Sequence, residues 1–370
     1  MHTLTAIISL SLLRRLLSGR KVHFLLQLGV FTLIEFNPVL LILSHDILTD
    51  CLNVFLFTAF LWALQAPLRF KPFIVSTLLA AMIVVRPFNQ SWGAVFFAAY
   101  LALWLMGLLF QGRLSGLLKR WSARQFINIT IQVCVPLLCI VGLQYLYVYQ
   151  MEKSIGLVGN KMNSEISLIL DLGNWYYKYD TYVGRETRSP SLSYVFANWE
   201  TRAKSEMQEG EPLRMIPFIL ENPVESFFFY VIRGVGLFQH YEWSAYRFTT
   251  ENTFNEVALW GLFAFFGCVY ANVYFVFNFK RVFLKQLNQP FTVLLLAVDL
   301  YLGAYTLLYV PEFRFIAPTL PIFLVLGVAA IMQDRSWRNI ALVLTSSFTL
   351  YVFTFEVLRV SIAAAPLVLR

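Results

Sequence analysis

SWGAVFFAAYLALWLMGLLFQGRLSGLLKRWSARQFINITIQVCVPLLCIVGLQYLYV, residues 91 to 148, consists of two long apolar runs joined by a connector carrying Arg113, Lys119, Arg120 and Arg124 and no acid. About 20 apolar residues cross a bilayer, so 91 to 111 and 126 to 148 each predict a transmembrane helix. The same pattern recurs along the chain. Short basic connectors at 14 to 21, 69 to 71, 112 to 125, 279 to 289 and 334 to 338 together hold fifteen Lys and Arg and one acid, Asp334. The long polar segment from 149 to 222 is mixed, with ten Asp and Glu against eight Lys and Arg. Basic residues collect in cytoplasmic loops of membrane proteins, so the connectors are expected inside and the long loop outside.

Composition agrees. Apolar residues make up 58% of the chain and charged residues 14%, with a mean hydropathy of +0.65, whereas soluble domains carry about 25% charged residues. In a soluble protein the net charge of +8 would suggest nucleic acid. Here the excess lies in the connectors, where anionic lipid headgroups account for it, and no nucleic-acid partner is expected. Cys51, Cys134, Cys139 and Cys268 lie in or beside apolar runs without paired spacing. They read as small buried hydrophobes, not a disulfide framework or a zinc site.

Apolar runs at 22 to 44, 49 to 67, 72 to 88, 91 to 111, 126 to 148, 256 to 278, 290 to 310, 314 to 333 and 339 to 358 predict about nine transmembrane helices in an all-α, multi-pass integral membrane protein. Alternate crossings from the cytoplasmic Arg14 put every basic connector inside and the C-terminus outside. A re-entrant pair over 72 to 111, where PFNQSW is the only separator, gives the same orientation. Three regions follow: N-terminal helices at 1 to 148, an extracytoplasmic lobe at 149 to 255, and C-terminal helices at 256 to 370. The membrane is plasma or inner membrane, or endoplasmic reticulum in a eukaryote. MHTLTAIISLSLL, residues 1 to 13, is too short to span and lacks a small-residue cleavage site. It reads as the last part of an outside-to-inside helix. PVESFFFYVIRGVGLF, 223 to 238, reads as a helix lying in the membrane interface, with a short buried helix as the alternative.

Charged residues inside spans are expensive, and each is a functional hypothesis. Glu35 is expected mid-span in the first helix, Asp299 mid-span in the seventh, and Glu356 and Arg359 paired near the outer end of the ninth. A denser set falls at the outer helix ends: His45, Asp46 and Asp50 in SHDILTD, Arg86 and Asn89 between the third and fourth spans, and Glu312 and Arg314 in YVPEFRF. Converging, these would line one extracytoplasmic cavity suited to a phosphate-bearing lipid. Arginine forks match phosphate oxygens, and a carboxylate serves as a base or holds a divalent cation. An ordinary solvated loop is the plainer reading of the same residues. No P-loop, G-x-S-x-G, G-x-G-x-x-G or H-E-x-x-H occurs, and no resident metal is expected. Asn89 and Asn128 head glycosylation sequons that fall at the membrane faces and read as chance.

Four stretches in order resemble the GT-C membrane glycosyltransferases, the group that includes protein O-mannosyltransferases, aminoarabinose transferases and RgtA-like bacterial enzymes. FNPVLLILSHDILTDCLNVFLFTAFLWAL (36 to 64) resembles a helix ending in a Pro-containing turn, followed by an acid opening the next helix. IVVRPFNQSWGAVF (83 to 96) is similar to the pair that follows, and FILENPVESFFFYVIRGVGLF (218 to 238) to the segment returning the large loop to the membrane. YVPEFRFIAPTLPIFLVLG (309 to 327) resembles the late R-Y/F-x-x-P-x-x-P helix. The resemblance implies transfer of a sugar from a polyprenyl-phosphate donor to a lipid, glycan or protein acceptor on the outer face, with a divalent cation as an option. It implies that Asp50 organises the cavity and that Arg314 meets the donor phosphate.

The chain departs from that family at its start. The family's catalytic acid lies in a first outer loop, and no such loop precedes Arg14. The catalytic base is therefore unassigned, and a truncated, split or inactive enzyme is expected. Two other readings stay open. One is an O-antigen polymerase or ligase, for which TENTFNEVALWGLFAFFG (250 to 267) supplies a faint likeness and Arg233, His240 and Arg247 the loop residues. The other is a non-catalytic membrane subunit.

Overall fold

The computed structural model describes residues 1–17, 22–37, 40–41, 48–86, 88–110, 123–152, 220–239, 251–278, 290–308, 316–334 and 337–363. Among them every regular element is helical. In chain order these are α1 (His2–Leu16), α2 (Phe24–Glu35), α3 (Leu48–Gln65), α4 (Lys71–Val85), α5 (Phe88–Phe110), α6 (Ala123–Glu152), α7 (Pro223–Gln239), α8 (Glu251–Phe277), α9 (Pro290–Leu308), a 3-10 turn (Ala317–Thr319), α10 (Leu320–Asp334) and α11 (Trp337–Ala363). By length and composition, Ile127–Gln150 and Trp260–Phe277 could each cross a membrane. The other apolar helical stretches, such as Phe24–Glu35 and Lys71–Val85, are shorter.

Local chemistry explains several boundaries. His23 caps α2, its Nδ1 accepting from the Leu25 backbone N–H at 3.3 Å. α2 stops at Glu35, well short of the expected end at 44. Asn37 provides the reason: its Oδ1 accepts from the Leu40 N–H at 3.2 Å and its carbonyl from the Leu41 N–H at 2.9 Å, so it caps a fresh helical turn. Pro38 follows in the sequence, and proline suits the first position after such a cap. Glu35 is thus at a helix terminus and not mid-span; its Oε1 accepts from Thr3 Oγ1 at 2.8 Å and its carbonyl from His2 Nε2 at 2.7 Å. α4 ends at Arg86, which is extended (φ −142°, ψ 100°), as expected of a residue preceding proline. In α6, Pro136 lies inside the helix and leaves the Gln132 carbonyl without its usual helical donor. Ser76 of α4 donates to the neighbouring Val133 carbonyl at 2.5 Å.

The chain divides into two compact units. One comprises Met1–Gly159, Phe263–Leu302 and Arg314–Leu344. Within it α1 packs on α2, α3 and α10; α4 packs on α3, α5 and α6; and the 3-10 turn packs on α3. Gly267 of α8 and Gly327 of α10 bring two backbones into contact, since a Cβ on Gly267 would overlap the Phe323 carbonyl and one on Gly327 would overlap Gly267 Cα. Small residues permit such close approach. α1 satisfies its own buried hydroxyls along the helix: Ser9 Oγ donates to the Thr5 carbonyl at 2.8 Å.

The other unit comprises Asn160–Leu262, Gly303–Phe313 and Thr345–Arg370. There Tyr351 Oη donates to the Phe238 carbonyl at 3.3 Å, and Gly234 of α7 lies against Thr306 of α9. Most of the expected extracytoplasmic lobe, at 153–219 and 240–250, falls outside the described residues.

A buried apolar core coexists with exposed apolar side chains on several helices. Only 6% of Ile127–Gln150 is buried, against half of Trp260–Phe277. Leu138 is 73% exposed and Phe277 82%. Cys134 and Cys139 are exposed on α6, contrary to the expectation that all four cysteines are buried; Cys51 and Cys268 are buried. Many apolar side chains of α6 are exposed, the two thiols included, whereas Val148 is buried.

Candidate functional site

Buried polar side chains inside this apolar bundle gather where α3, α4 and α5 meet α9. Asp50 lies in the first turn of α3, where a carboxylate suits the positive end of the helix dipole. It is 2% exposed. Arg86, at the C-terminal cap of α4, makes an ion pair with Asp50 Oδ1. One helix turn along α3 from Asp50, Asn53 donates from Nδ2 to Tyr301 Oη of α9 at 3.2 Å. Asn89 of α5 donates from Nδ2 to Asn53 Oδ1 at 3.0 Å and to the Met82 carbonyl at 2.8 Å. Its own backbone N–H returns to the Arg86 carbonyl at 2.9 Å. A chain of polar contacts therefore runs from the end of α4 through α5 and α3 to α9.

An aromatic layer backs this chain. Phe57, Trp92 and Tyr301 form a triangle with ring centroids 4.8 to 5.6 Å apart, and Trp92 Nε1 donates to the Ala297 carbonyl at 3.2 Å. Packed rings and the hydrogen-bonded Asn53 amide hold the ion pair's surroundings in one arrangement. Two acceptors are left over: Asp50 Oδ2 and Asn89 Oδ1 are buried and have no hydrogen-bond partner. An unmet buried acceptor is costly in isolation. It also offers a ready contact to a ligand that brings O–H or N–H groups.

Of the residues expected to converge, the structure brings Asp50 and Arg86 together, with Asn89 linked to Arg86 through the backbone. His45, Asp46, Glu312 and Arg314 lie outside the described residues, as do His240 and Arg247. Arg233 lies on α7, and Glu356 and Arg359 on α11, but their side chains also fall outside the description. Asp299 stands apart from the Asp50 cluster, with Asn272 Nδ2 of α8 donating to its Oδ1 at 3.1 Å. Among the described residues no group of three or more His, Cys, Asp and Glu could hold a metal ion.

Charge alone misses Asn53 and Tyr301. The signal was present in the spacing: Asn53 is three residues after Asp50, on the same face of one helix. Comparison with protein-family models, with curated proteins and with solved structures finds no match to this chain.

Proposed function

We propose that the chain is a multi-pass membrane protein of the GT-C glycosyltransferase kind, using a polyprenyl-phosphate sugar as donor on the extracytoplasmic face. The observation that carries this reading is the pairing of one guanidinium, Arg86, with two buried and unmet acceptors, Asp50 Oδ2 and Asn89 Oδ1. Acceptor-only oxygens fit the hydroxyls of a sugar, and an arginine fork fits phosphate. The outward-facing apolar surface of α6 supports a lipid environment, because patches of that size are not left to water in a soluble monomer. The connectors supply the orientation.

In this reading Asp50 holds Arg86 and organises the cavity. Arg86 meets the donor phosphate, the role that the family resemblance implies for Arg314. Transfer breaks the bond between the sugar's anomeric carbon and the phosphate oxygen and forms one to an acceptor hydroxyl oxygen. The phosphate departs with the bonding pair, and the hydroxyl proton goes to a base that is not assigned to any residue here. The purified chain in liposomes, given radiolabelled polyprenyl-phosphate sugars and a membrane glycan extract, is expected to bind the donor and to lose binding at least about tenfold with Arg86→Gln, since charge-assisted contacts contribute about 1.5–3 kcal/mol. Donor binding that is unchanged in Arg86→Gln would refute the site.

A second reading, a non-catalytic membrane subunit, is favoured by one observation: the Asp50 carboxylate is already committed to Arg86. Donor binding without transfer to any acceptor would support it.

A further inference from the structure

Away from the Asp50 cluster, a second set of charges collects where α1 and α3 end and α4 begins. Arg15, in the last turn of α1, donates from Nη1 to the Gln65 carbonyl at the C-terminus of α3, at 2.8 Å. Its guanidinium also lies over the Trp62 ring, 5.6 Å from the centroid, and Trp62 Nε1 is held in turn by Ser11 Oγ at 3.1 Å. Arg15 is therefore fixed against α3 by a hydrogen bond and a ring contact. Beyond Gln65, the connector brings in Arg69, stacked over Phe70 at 5.5 Å, and then Lys71.

Lys71 is badly placed for a cation. It stands at the N-terminus of α4, where the helix dipole favours negative charge. Burial, and then the nearby Arg15 charge, hold its ammonium below the ordinary lysine value. Among the described residues neither Arg15, Arg69 nor Lys71 has an ion-pair partner. Beside them Phe70 and Phe73 are exposed, at 54% and 44%. Clustered cations with no counter-ion among the described residues, one at a helix N-terminus and two of them next to exposed rings, ask for an anion attached to something apolar.

We propose that Arg15, Arg69 and Lys71 seat the phosphate headgroup of an anionic phospholipid at the cytoplasmic end of α1, α3 and α4, with Phe70 and Phe73 lying along its glycerol and upper acyl region. This rests on the membrane reading above and on the basic connectors facing the cytoplasm. The site differs in kind from the Asp50 cluster. Its cations leave no unmet acceptor for a sugar, and its ligand is structural lipid, not substrate.

The test uses the full chain reconstituted into bilayers of equal parts phosphatidylcholine and phosphatidylglycerol, released in mild detergent, with bound lipid counted by native mass spectrometry. Phosphatidylglycerol is expected to be retained in excess. Arg15→Gln with Lys71→Gln is expected to cut that excess about thirtyfold, at roughly 1 kcal/mol per cation. Arg69→Gln, an exposed change that keeps the packing, is expected to reduce it about fivefold with the melting temperature unchanged. Equal retention of the two lipids, or an excess that survives all three substitutions, would overturn the proposal. So would complete displacement of phosphatidylglycerol by inorganic phosphate, which would mark a free-anion site. Carbonate extraction of the reconstituted chain separates the two levels: a chain washed off the bilayer refutes the membrane reading itself, whereas an embedded chain without lipid preference refutes the seat alone.

Discussion

Asp50 and Arg86 compensate each other's charge in an apolar bundle. Removing one partner of a buried pair leaves an uncompensated charge and typically costs about 3–5 kcal/mol, whereas removing both costs far less. Asp50→Asn and Arg86→Gln are each expected to lower the unfolding free energy in detergent by about 3 kcal/mol, and the double variant by less than either alone. Thermal or denaturant unfolding of the four proteins checks this; strictly additive losses would show that the two side chains do not sustain each other. Both residues were legible in the sequence as charges at expected helix ends. Their partners were not, because Asn53 and Tyr301 are ordinary residues whose role appears only when α3 and α9 are adjacent.

At the scale of the element, hydrophobic runs located the helices well: 126 to 148 anticipates Ala123–Glu152, and 223 to 238 anticipates Pro223–Gln239. Where the reading failed, a capping residue competed with the apolar pattern, as at Asn37, which ends α2 early and starts a new turn. Run length is blind to caps inside a run. Packing partners were hidden as well, and the contact between α8 and α10 is one that no periodicity announces. Gly267 meets the Phe323 carbonyl, a backbone atom that cannot rotate away. Gly267→Leu is expected to force the two helices apart and to cost at least about 2 kcal/mol, within the range for overpacking a close contact. Gly142, with nothing near its missing Cβ, is the control: Gly142→Ala should be neutral or slightly stabilising, as alanine is the better helix former. Melting temperatures of the two variants in detergent compare them directly.

For the whole molecule, the positive-inside pattern makes a topological statement that folding alone does not test. With native cysteines replaced, a cysteine at Arg185 is expected to react with an impermeant thiol reagent on intact cells, and one at Leu118 only after the membrane is opened. The opposite pattern would invert the orientation and place the basic connectors outside.

α1 carries a consequence of a different sort, one of time. Gln333 Nε2 of α10 donates to the Leu16 carbonyl at the end of α1, at 3.3 Å, and the two residues are 317 positions apart in the chain. At a synthesis rate of about 5–20 residues per second, α10 emerges roughly 15 to 60 s after the helix it fastens. α2 and α3 arrive first and shelter part of α1, but its remaining face waits for α10. α1 is thus secured long after it is made.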